Sequence, residues 1–242
     1  MKNETEVAAT GRVRTRQAAT RVRLLRAAHR LMSQQGVDAT AIREITDLAD
    51  VGFGTFYSYF TSKDDVAAQV LDCVIHNLGT RNDLANRGVT DPVRVMSNSV
   101  RLVAREMLTD PMWAWWVKRT DLLVSRMRAG FAYFGLRDLE LATAAGAYRL
   151  SAPPSVAWNQ LIWLLAGGIK DILEGEHALA AADPIAESVL RVMGVELATA
   201  HRLAHMALPL YPRVPVDYQF GQDGLTQKAW RAVGGFEPLI AP

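Results

Sequence analysis

The chain has 242 residues, 50% of them hydrophobic, and a formal net charge of +2 at pH 7. This length is enough for one or two packed cores, and because no apolar run approaches the roughly twenty residues of a bilayer-spanning helix, the sequence excludes an integral membrane protein. The lone cysteine, Cys73, excludes an internal disulfide, and the polar stretch from Met1 to Glu6 has no signal-peptide core behind it, so we expect a cytoplasmic protein.

Positive charge is concentrated at the front of the chain. Residues 1–63 hold ten Lys or Arg against six Asp or Glu, a net of +4, and the remainder carries −2. We expect a flexible basic arm over residues 1–20 and a first helix that begins within 15–20 and ends near Gln35. The arm contains Arg12, Arg14 and Arg16. These arginines either enter a DNA minor groove or only solubilise the chain, and the sequence leaves both readings open.

Two short helices joined by a tight turn are predicted between Thr40 and Phe60. Thr40 can cap the first of them, whose apolar face recurs at three- and four-residue steps. That face consists of Ile42, Ile45, Leu48 and Ala49. The turn Asp50-Val51-Gly52 ends this helix, and a second helix is predicted from Phe53 to Tyr59. Phe56 and Phe60, four residues apart, are expected to share its buried face. Two short helices in this arrangement are typical of a helix-turn-helix, whose second helix lies in a DNA major groove.

The segment from about Arg21 to Val70 resembles the N-terminal signature of the TetR family of bacterial transcriptional regulators. The residues that carry the resemblance are Gly36, Thr40, Ile45, Val51, Gly54-Thr55-Phe56-Tyr57, Tyr59-Phe60 and Ser62-Lys63. The resemblance implies an all-α homodimer. Each protomer would have an N-terminal three-helix head over residues 21–66, which binds a double-stranded DNA operator, and a larger helical ligand-binding and dimerisation domain over residues 67–208.

The resemblance also implies which residues contact DNA. Thr55, Tyr57, Tyr59 and Lys63 fall where the family contacts phosphates, and Thr40 is a further candidate DNA-binding residue. Arg43 falls where a side chain can reach a base edge. It is the strongest candidate for reading a base, because a guanidinium group matches guanine O6 and N7. Phe53 falls where the recognition helix begins to read bases. It offers no hydrogen bond, so it either touches a thymine methyl or lies on the surface, and the operator sequence cannot be read from this helix.

From Asp91 onward the sequence predicts further helices and no strand. They are expected near Pro92–Leu108, Pro111–Trp116, Lys118–Tyr133, Asp138–Ala147, Ser155–Leu173 and Pro184–Ala207. A proline-rich extension follows over residues 209–242. This extension either wraps the core through Tyr211, Tyr218, Phe220 and Trp230 or remains mobile.

The helix expected over 155–173 carries a broad apolar stripe. The stripe comprises Trp158, Leu161, Ile162, Leu165, Ile169 and Ile172. Such a stripe fits a subunit interface or a buried core helix, and we favour the interface. The resemblance implies that the helices near 155–173 and 184–207 pair with their symmetry mates as a four-helix bundle.

Aromatic and methionine side chains are dense in the middle of the chain, which predicts a pocket for an apolar or aromatic small molecule. The best candidates for its lining are Met107, Trp113, Trp116, Met127, Phe131 and Trp163. Arg105 and Arg119 are candidate anchors for an acidic group, or else are solvated or paired with neighbouring acids. The sequence does not distinguish an aromatic effector from a fatty-acyl one.

The sequence predicts no enzyme, no cofactor and no metal site. His201 and His205 form an i, i+4 pair that could bind a metal on one helix face, but no carboxylate or cysteine stands at ligand spacing beside them. Phosphate-binding loops and nucleophile turns are also missing. We therefore predict a sequence-specific DNA-binding regulator, with a repressor released by its effector as the first choice. An activator or a non-catalytic interaction module with the same fold is the alternative.

Overall fold

The computed structural model describes residues 2–175 and 182–220, with side chains from Thr15 onward, and this part of the chain is all-helical. The helices are α1 (Lys2–Gln35), α2 (Ile42–Leu48), α3 (Phe53–Phe56), α4 (Lys63–Ala85), α5 (Pro92–Met107), α6 (Met112–Val117), α7 (Thr120–Gly130), α8 (Arg137–Ala144), α9 (Pro154–Leu173), α10 (Ala182–Val192) and α11 (Leu197–Ala204), and a π-helical turn spans Ala132–Leu136. Among these described residues, no helix is long and apolar enough to cross a membrane.

The N-terminal head packs α2 and α3 against the second half of α1 and the start of α4. Its core contains Leu24, Leu25, Met32, Val37, Ile45, Phe56, Phe60, Val66 and Val70, all at most 1% exposed. Phe56 and Phe60 therefore share the buried face as the sequence predicted. The expected start of the first helix was wrong, because α1 begins at Lys2. Whether Arg12 and Arg14 reach DNA lies outside the described side chains.

Thr40 does not cap α2, which corrects the sequence prediction. The N-cap is Ala41, whose backbone N–H donates to Glu44 Oε2 at 2.8 Å. Thr40 is 1% exposed, and its hydroxyl donates to the carbonyl of Gly36 at 2.8 Å. The threonine thus stabilises the turn that follows α1 through a buried hydrogen bond. Its buried side chain has no surface to offer a phosphate.

A glycine splits the last predicted helix into α10 and α11. Gly194 has φ = +78°, and a Cβ placed there would lie 2.4 Å from the carbonyl oxygen of Arg149. Only glycine fits such a backbone position, and left-handed glycines commonly end helices. The N–H of Val195 then donates to the carbonyl of Leu190 at 3.0 Å. The expected continuous helix from Pro184 to Ala207 was therefore wrong, and α11 folds back on α10.

The apolar stripe of α9 belongs to the core of its own protomer. Trp158, Leu161, Ile162, Leu165 and Ile169 are all at most 5% exposed. The favoured interface reading was therefore wrong for these residues. The outward face of α9 instead presents Val156 and Trp163, which are 45% and 44% exposed.

Residues Pro209–Phe220, called the C-terminal strap below, run back along α4 towards the head. Near the end of α4, the guanidinium of Arg81 donates to the carbonyl of Pro212 at 2.7 Å and lies 3.8 Å from the ring centre of Tyr211. Asn77 donates to the carbonyls of Val214 and Pro215. At the head end, Tyr218 Oη lies 2.7 Å from His29 Nδ1 of α1. This part of the extension wraps the core, and Trp230 lies outside the described residues.

The strap covers two histidines, which gives the fold a dependence on pH. Burial lowers the pKa of His29, and the negative charge of Asp110 partly offsets this shift. Burial likewise lowers the pKa of His76, whose ring stacks on that of Phe220 with the ring centres 3.9 Å apart. A histidine with a lowered pKa in the folded state binds protons preferentially after unfolding. The stabilisation is therefore complete above the unfolded pKa of about 6.5 and is lost as pH falls towards the folded pKa.

We expect the free energy of unfolding to fall between pH 7.5 and pH 5.5, as measured by urea denaturation. The variant His29→Gln/His76→Gln lacks both titrating groups, so its slope over this interval should be smaller than that of the natural chain. Equal slopes for the two proteins would show that these histidines do not produce the pH dependence.

Candidate nucleic-acid interface and ligand cavity

The recognition helix α3 exposes two aromatic rings next to each other. Phe53 is 46% exposed and Tyr57 is 53% exposed, and their ring centres are 5.7 Å apart in an edge-to-face arrangement. Phe56, next to Tyr57 in sequence, points into the core instead. Thr55 and Tyr59 are half-buried at the margin of the same segment. The head therefore offers the hydroxyl of Tyr57 most openly.

Arg43 projects from α2 into solvent. Its side chain is 77% exposed, and it forms an ion pair with Asp47 one turn later at 3.8 Å. A solvent-exposed pair of this length contributes little free energy. The guanidinium is thus free to exchange Asp47 for another acceptor.

Lys63 starts α4 and is already engaged within the protein. Its Nζ donates to the carbonyl of Asp38 at 2.8 Å. The carboxylate of the same Asp38 accepts from Nε1 of Trp115 on α6 at 2.7 Å. Asp38 therefore connects the larger domain to the lysine, and any anion that binds Lys63 competes with the Asp38 carbonyl.

The turn between α2 and α3 is held by its own backbone. Asp50 adopts φ = +51°, and the N–H groups of Asp50 and Val51 donate to the carbonyls of Asp47 and Thr46. Val51 is half-buried against the head core, as expected for the apolar residue of this turn. The angle between the two helices is thereby set without a ligand.

The larger domain contains a cavity of about 540 Å³. Its walls come from α4, α5, the π-helical turn, α8 and α9. Gly135 of the π-helical turn matters to its shape, because a Cβ there would lie 2.5 Å from the indole of Trp158. The aromatic residues that line the cavity are Phe131, Phe134, Tyr148 and Trp158. A volume in this range suits a small molecule.

One side of the cavity is polar and formed by amides of α4 and α5. Asn82 donates to the carbonyl of Ser99 at 3.2 Å, and Asn86 donates to the hydroxyl of Ser99 at 3.2 Å. Asn86 in turn accepts from Asn98 at 2.9 Å. Asn82 is 8% exposed, and its Oδ1 has no hydrogen-bond partner within the part of the chain that the structure describes. A buried acceptor without a partner is costly, so a donor group on a bound molecule would satisfy it.

Asp83 and Asp138 at the cavity are both paired with Arg137, whereas Arg87 also lines the cavity and has no ion pair among the described residues. Arg137 donates to Asp83 at 3.1 Å and to Asp138 at 2.7 Å. Burial raises the pKa of Asp138, which Arg137 opposes. Tyr148 is also affected by burial, which raises its pKa, and its hydroxyl donates to the carbonyl of Pro92. The tyrosine therefore stays neutral, and Arg87 is the only cation among the described lining residues.

Of the residues expected to bind a ligand, only Phe131 lines this cavity. Met107, Trp113, Trp116 and Met127 are at most 2% exposed and fill the core. Trp163 faces outward instead. Arg105 donates to Asp183 at 2.9 Å, and Arg119 stacks on Trp115 with its Cζ 3.6 Å from the ring centre. Neither arginine is therefore available to this cavity as an anchor for an acidic group. Sequence reasoning missed Asn82 and Asn86, because they lie one turn apart at the end of α4 among charged residues and look like a solvated helix end.

Family models match both parts of the chain. Residues 24–70 match bacterial regulatory proteins of the tetR family, and residues 91–206 match the tetracyclin repressor-like C-terminal domain. No curated protein matches the chain.

Among solved structures, the chain is similar to RolR in complex with its ligand resorcinol. The two are 26% identical with a TM-score of 0.74, over 82% of this chain and 99% of RolR. The fold is also similar to that of FadR from Bacillus subtilis in complex with stearoyl-CoA, at 14% identity and a TM-score of 0.54, over 70% of this chain and 97% of FadR. FadR from Thermus thermophilus with lauroyl-CoA gives 21% identity and a TM-score of 0.53, over 73% and 96%.

Proposed function

This chain belongs to the TetR family of bacterial regulatory proteins and is a transcriptional regulator, and we propose that it is a homodimeric repressor released from its operator by a small hydroxylated aromatic molecule. Residues 21–66 form the DNA-binding head in this proposal, and residues 67–208 bind the effector and the second subunit. It acts without catalysis, in the cytoplasm where the operator lies.

The observation that carries the DNA-binding role is the open surface of the head. Arg43 and Tyr57 are exposed and lack strong internal partners, whereas the aromatic residues behind them are buried. Arg43 reads a base edge, and Tyr57 and Lys63 bind phosphates, with Thr55 and Tyr59 beside them. Phe53 lies where it can touch a thymine methyl. Saturable binding of the purified protein to its own upstream DNA, in the presence of nonspecific competitor, tests this role.

The effector class follows from the lining of the cavity. Aromatic rings line it, Asn82 offers an acceptor without a partner among the described residues, and the two acidic groups of its lining are paired with Arg137. A ring with a hydroxyl group meets these three conditions. The similarity to RolR, whose ligand resorcinol is a benzenediol, supports the same class. A fatty-acyl thioester of coenzyme A is disfavoured, because its several phosphates would need more cations than Arg87, the only one among the described lining residues.

Helix α4 provides the route from effector to DNA. This helix lines the cavity through Asn82 and packs into the head core through Val66 and Val70. The strap ties α4 to α1 through Asn77 and Tyr218, so a displacement of α4 is transmitted to the head. A coupling free energy of about 1 to 3 kcal/mol is enough to change operator occupancy strongly.

The effector class has a direct test by calorimetry. We expect resorcinol and phenol to bind the purified protein and benzene to bind more weakly, since benzene has no donor for Asn82. The Asn82→Leu variant should lose about 1 kcal/mol of phenol affinity, roughly fivefold, and little of its benzene affinity. Binding of lauroyl-CoA but not of phenols would overturn the effector class while leaving the DNA-binding role intact.

A further inference from the structure

Three potential metal ligands converge on the surface formed by α10 and α11. They are Glu187 on α10 and His201 and His205 on α11, and one ligand atom from each lies within 4.8 Å of the others. The Oε2 atom of Glu187 is 2.9 Å from Nδ1 of His201. The two imidazole ring centres are 4.3 Å apart. This cluster lies outside both the head and the lining of the cavity.

The break at Gly194 is what brings the carboxylate to the histidines. Glu187 and His201 are 14 positions apart in sequence. In a continuous helix this separation would place them about 21 Å apart, at about 1.5 Å per residue. The left-handed glycine reverses the chain instead, so α11 packs beside α10. Glu196 caps α11 by accepting from the N–H of Thr199 at 3.0 Å, which fixes where the helix starts. The sequence showed the histidine pair without a carboxylate, and the fold supplies one.

Hydrogen bonding prepares His205 to act as a ligand. Its Nδ1 lies 2.8 Å from the carbonyl oxygen of His201. Since a carbonyl only accepts, Nδ1 must carry the proton and donate it. The Nε2 atom is then left with a free lone pair. Histidines that bind metals commonly donate their second ring N–H to a carbonyl or carboxylate in this way.

We propose that Glu187, His201 and His205 bind a divalent transition-metal ion, with Zn²⁺ as the reference ion. Two imidazoles and a carboxylate are a typical zinc ligand set, with bonds of about 2.0 to 2.2 Å that place ligand atoms roughly 3.3 Å apart. Rotation of exposed side chains reaches this spacing, because the side chain of His201 is 65% exposed. Water completes the coordination on the solvent side.

A bound ion would fasten α11 to α10 across the break at Gly194. Because the three ligands come from both helices, the ion binds the folded chain more tightly than the unfolded one. It therefore stabilises the fold according to its free concentration relative to its Kd.

The test is calorimetric titration of Zn²⁺ into the untagged full-length protein at pH 7.5. We expect one ion per protomer and a rise in Tm with added Zn²⁺. His205→Ala should abolish saturable binding. Glu187→Gln keeps the size of the side chain and should weaken binding at least tenfold.

Glu140→Gln is the matched control, because Glu140 is an exposed glutamate on α8, and it should bind Zn²⁺ like the natural chain. Circular dichroism of each variant establishes that it is folded. The proposal is overturned if the natural chain shows no saturable binding. It is also overturned if Glu187→Gln binds as tightly as the natural chain, since the ion would then rest on the histidine pair alone.

Discussion

Replacement of Arg43 by alanine is expected to lower operator affinity by about 1 to 3 kcal/mol, roughly 5- to 150-fold, and to relax sequence preference at one base pair. The reason is the bidentate fit of a guanidinium group to guanine, which no other base reproduces. The internal cost of freeing this side chain is small, because its pair with Asp47 is exposed and 3.8 Å long. Anisotropy titrations against the operator and its single-base variants measure both effects.

Lys63 and Tyr57 should give a different signature because they are proposed to contact phosphates. Lys63→Ala should weaken binding equally for all sequences and reduce the slope of log affinity against log salt by about 1. Tyr57→Phe removes a hydrogen bond but no charge, so affinity should fall while the salt slope stays unchanged. Arg202→Ala, on the exposed side of α11, is the control that keeps natural operator affinity. A uniform loss for Arg43→Ala would reassign Arg43 to the phosphates.

The head could be predicted closely because its information is local. Apolar residues at three- and four-residue steps and the turn at Asp50 fix α2 and α3, and the buried Phe56 and Phe60 agree with that reading. Thr40 was misplaced because its hydroxyl has two possible uses. The pattern suggests a helix cap, and only the fold reveals the Gly36 carbonyl that takes it.

The cavity could not be predicted, because it depends on contacts between distant segments. Trp113 and Trp116 look like ligand-binding residues in the sequence, but α6 buries both in the core. Asn82 becomes part of the site only when α5 brings Ser99 beside it. The cluster of Glu187 with the two histidines could not be predicted for the same reason. It depends on the reversal of the chain at Gly194, which no local sequence pattern predicts.

Trp163→Arg is expected to convert the dimer to monomers and to lower operator affinity by about 10²- to 10⁴-fold. Trp163 is 44% exposed on the outward face of α9, which it shares with Val156. An indole exposed in this way contributes little to the stability of an isolated protomer. Tryptophan is enriched among interface residues whose truncation costs about 2 kcal/mol or more, and a buried unpaired arginine adds a desolvation cost. Sedimentation equilibrium and operator titration report the two effects separately.

Leu122→Arg is the matched control, because it introduces the same charge at an equally exposed apolar residue outside α9. Leu122 is also 44% exposed, but it lies on α7 rather than α9. Introducing the same charge there should leave both the mass in solution and operator affinity unchanged. The avidity argument requires the losses to occur together, since a monomer binds one half-site and forfeits the effective concentration of its second head. A Trp163→Arg protein that remains dimeric would move the interface away from α9. One that is monomeric yet retains full affinity would contradict recognition of the operator by paired heads.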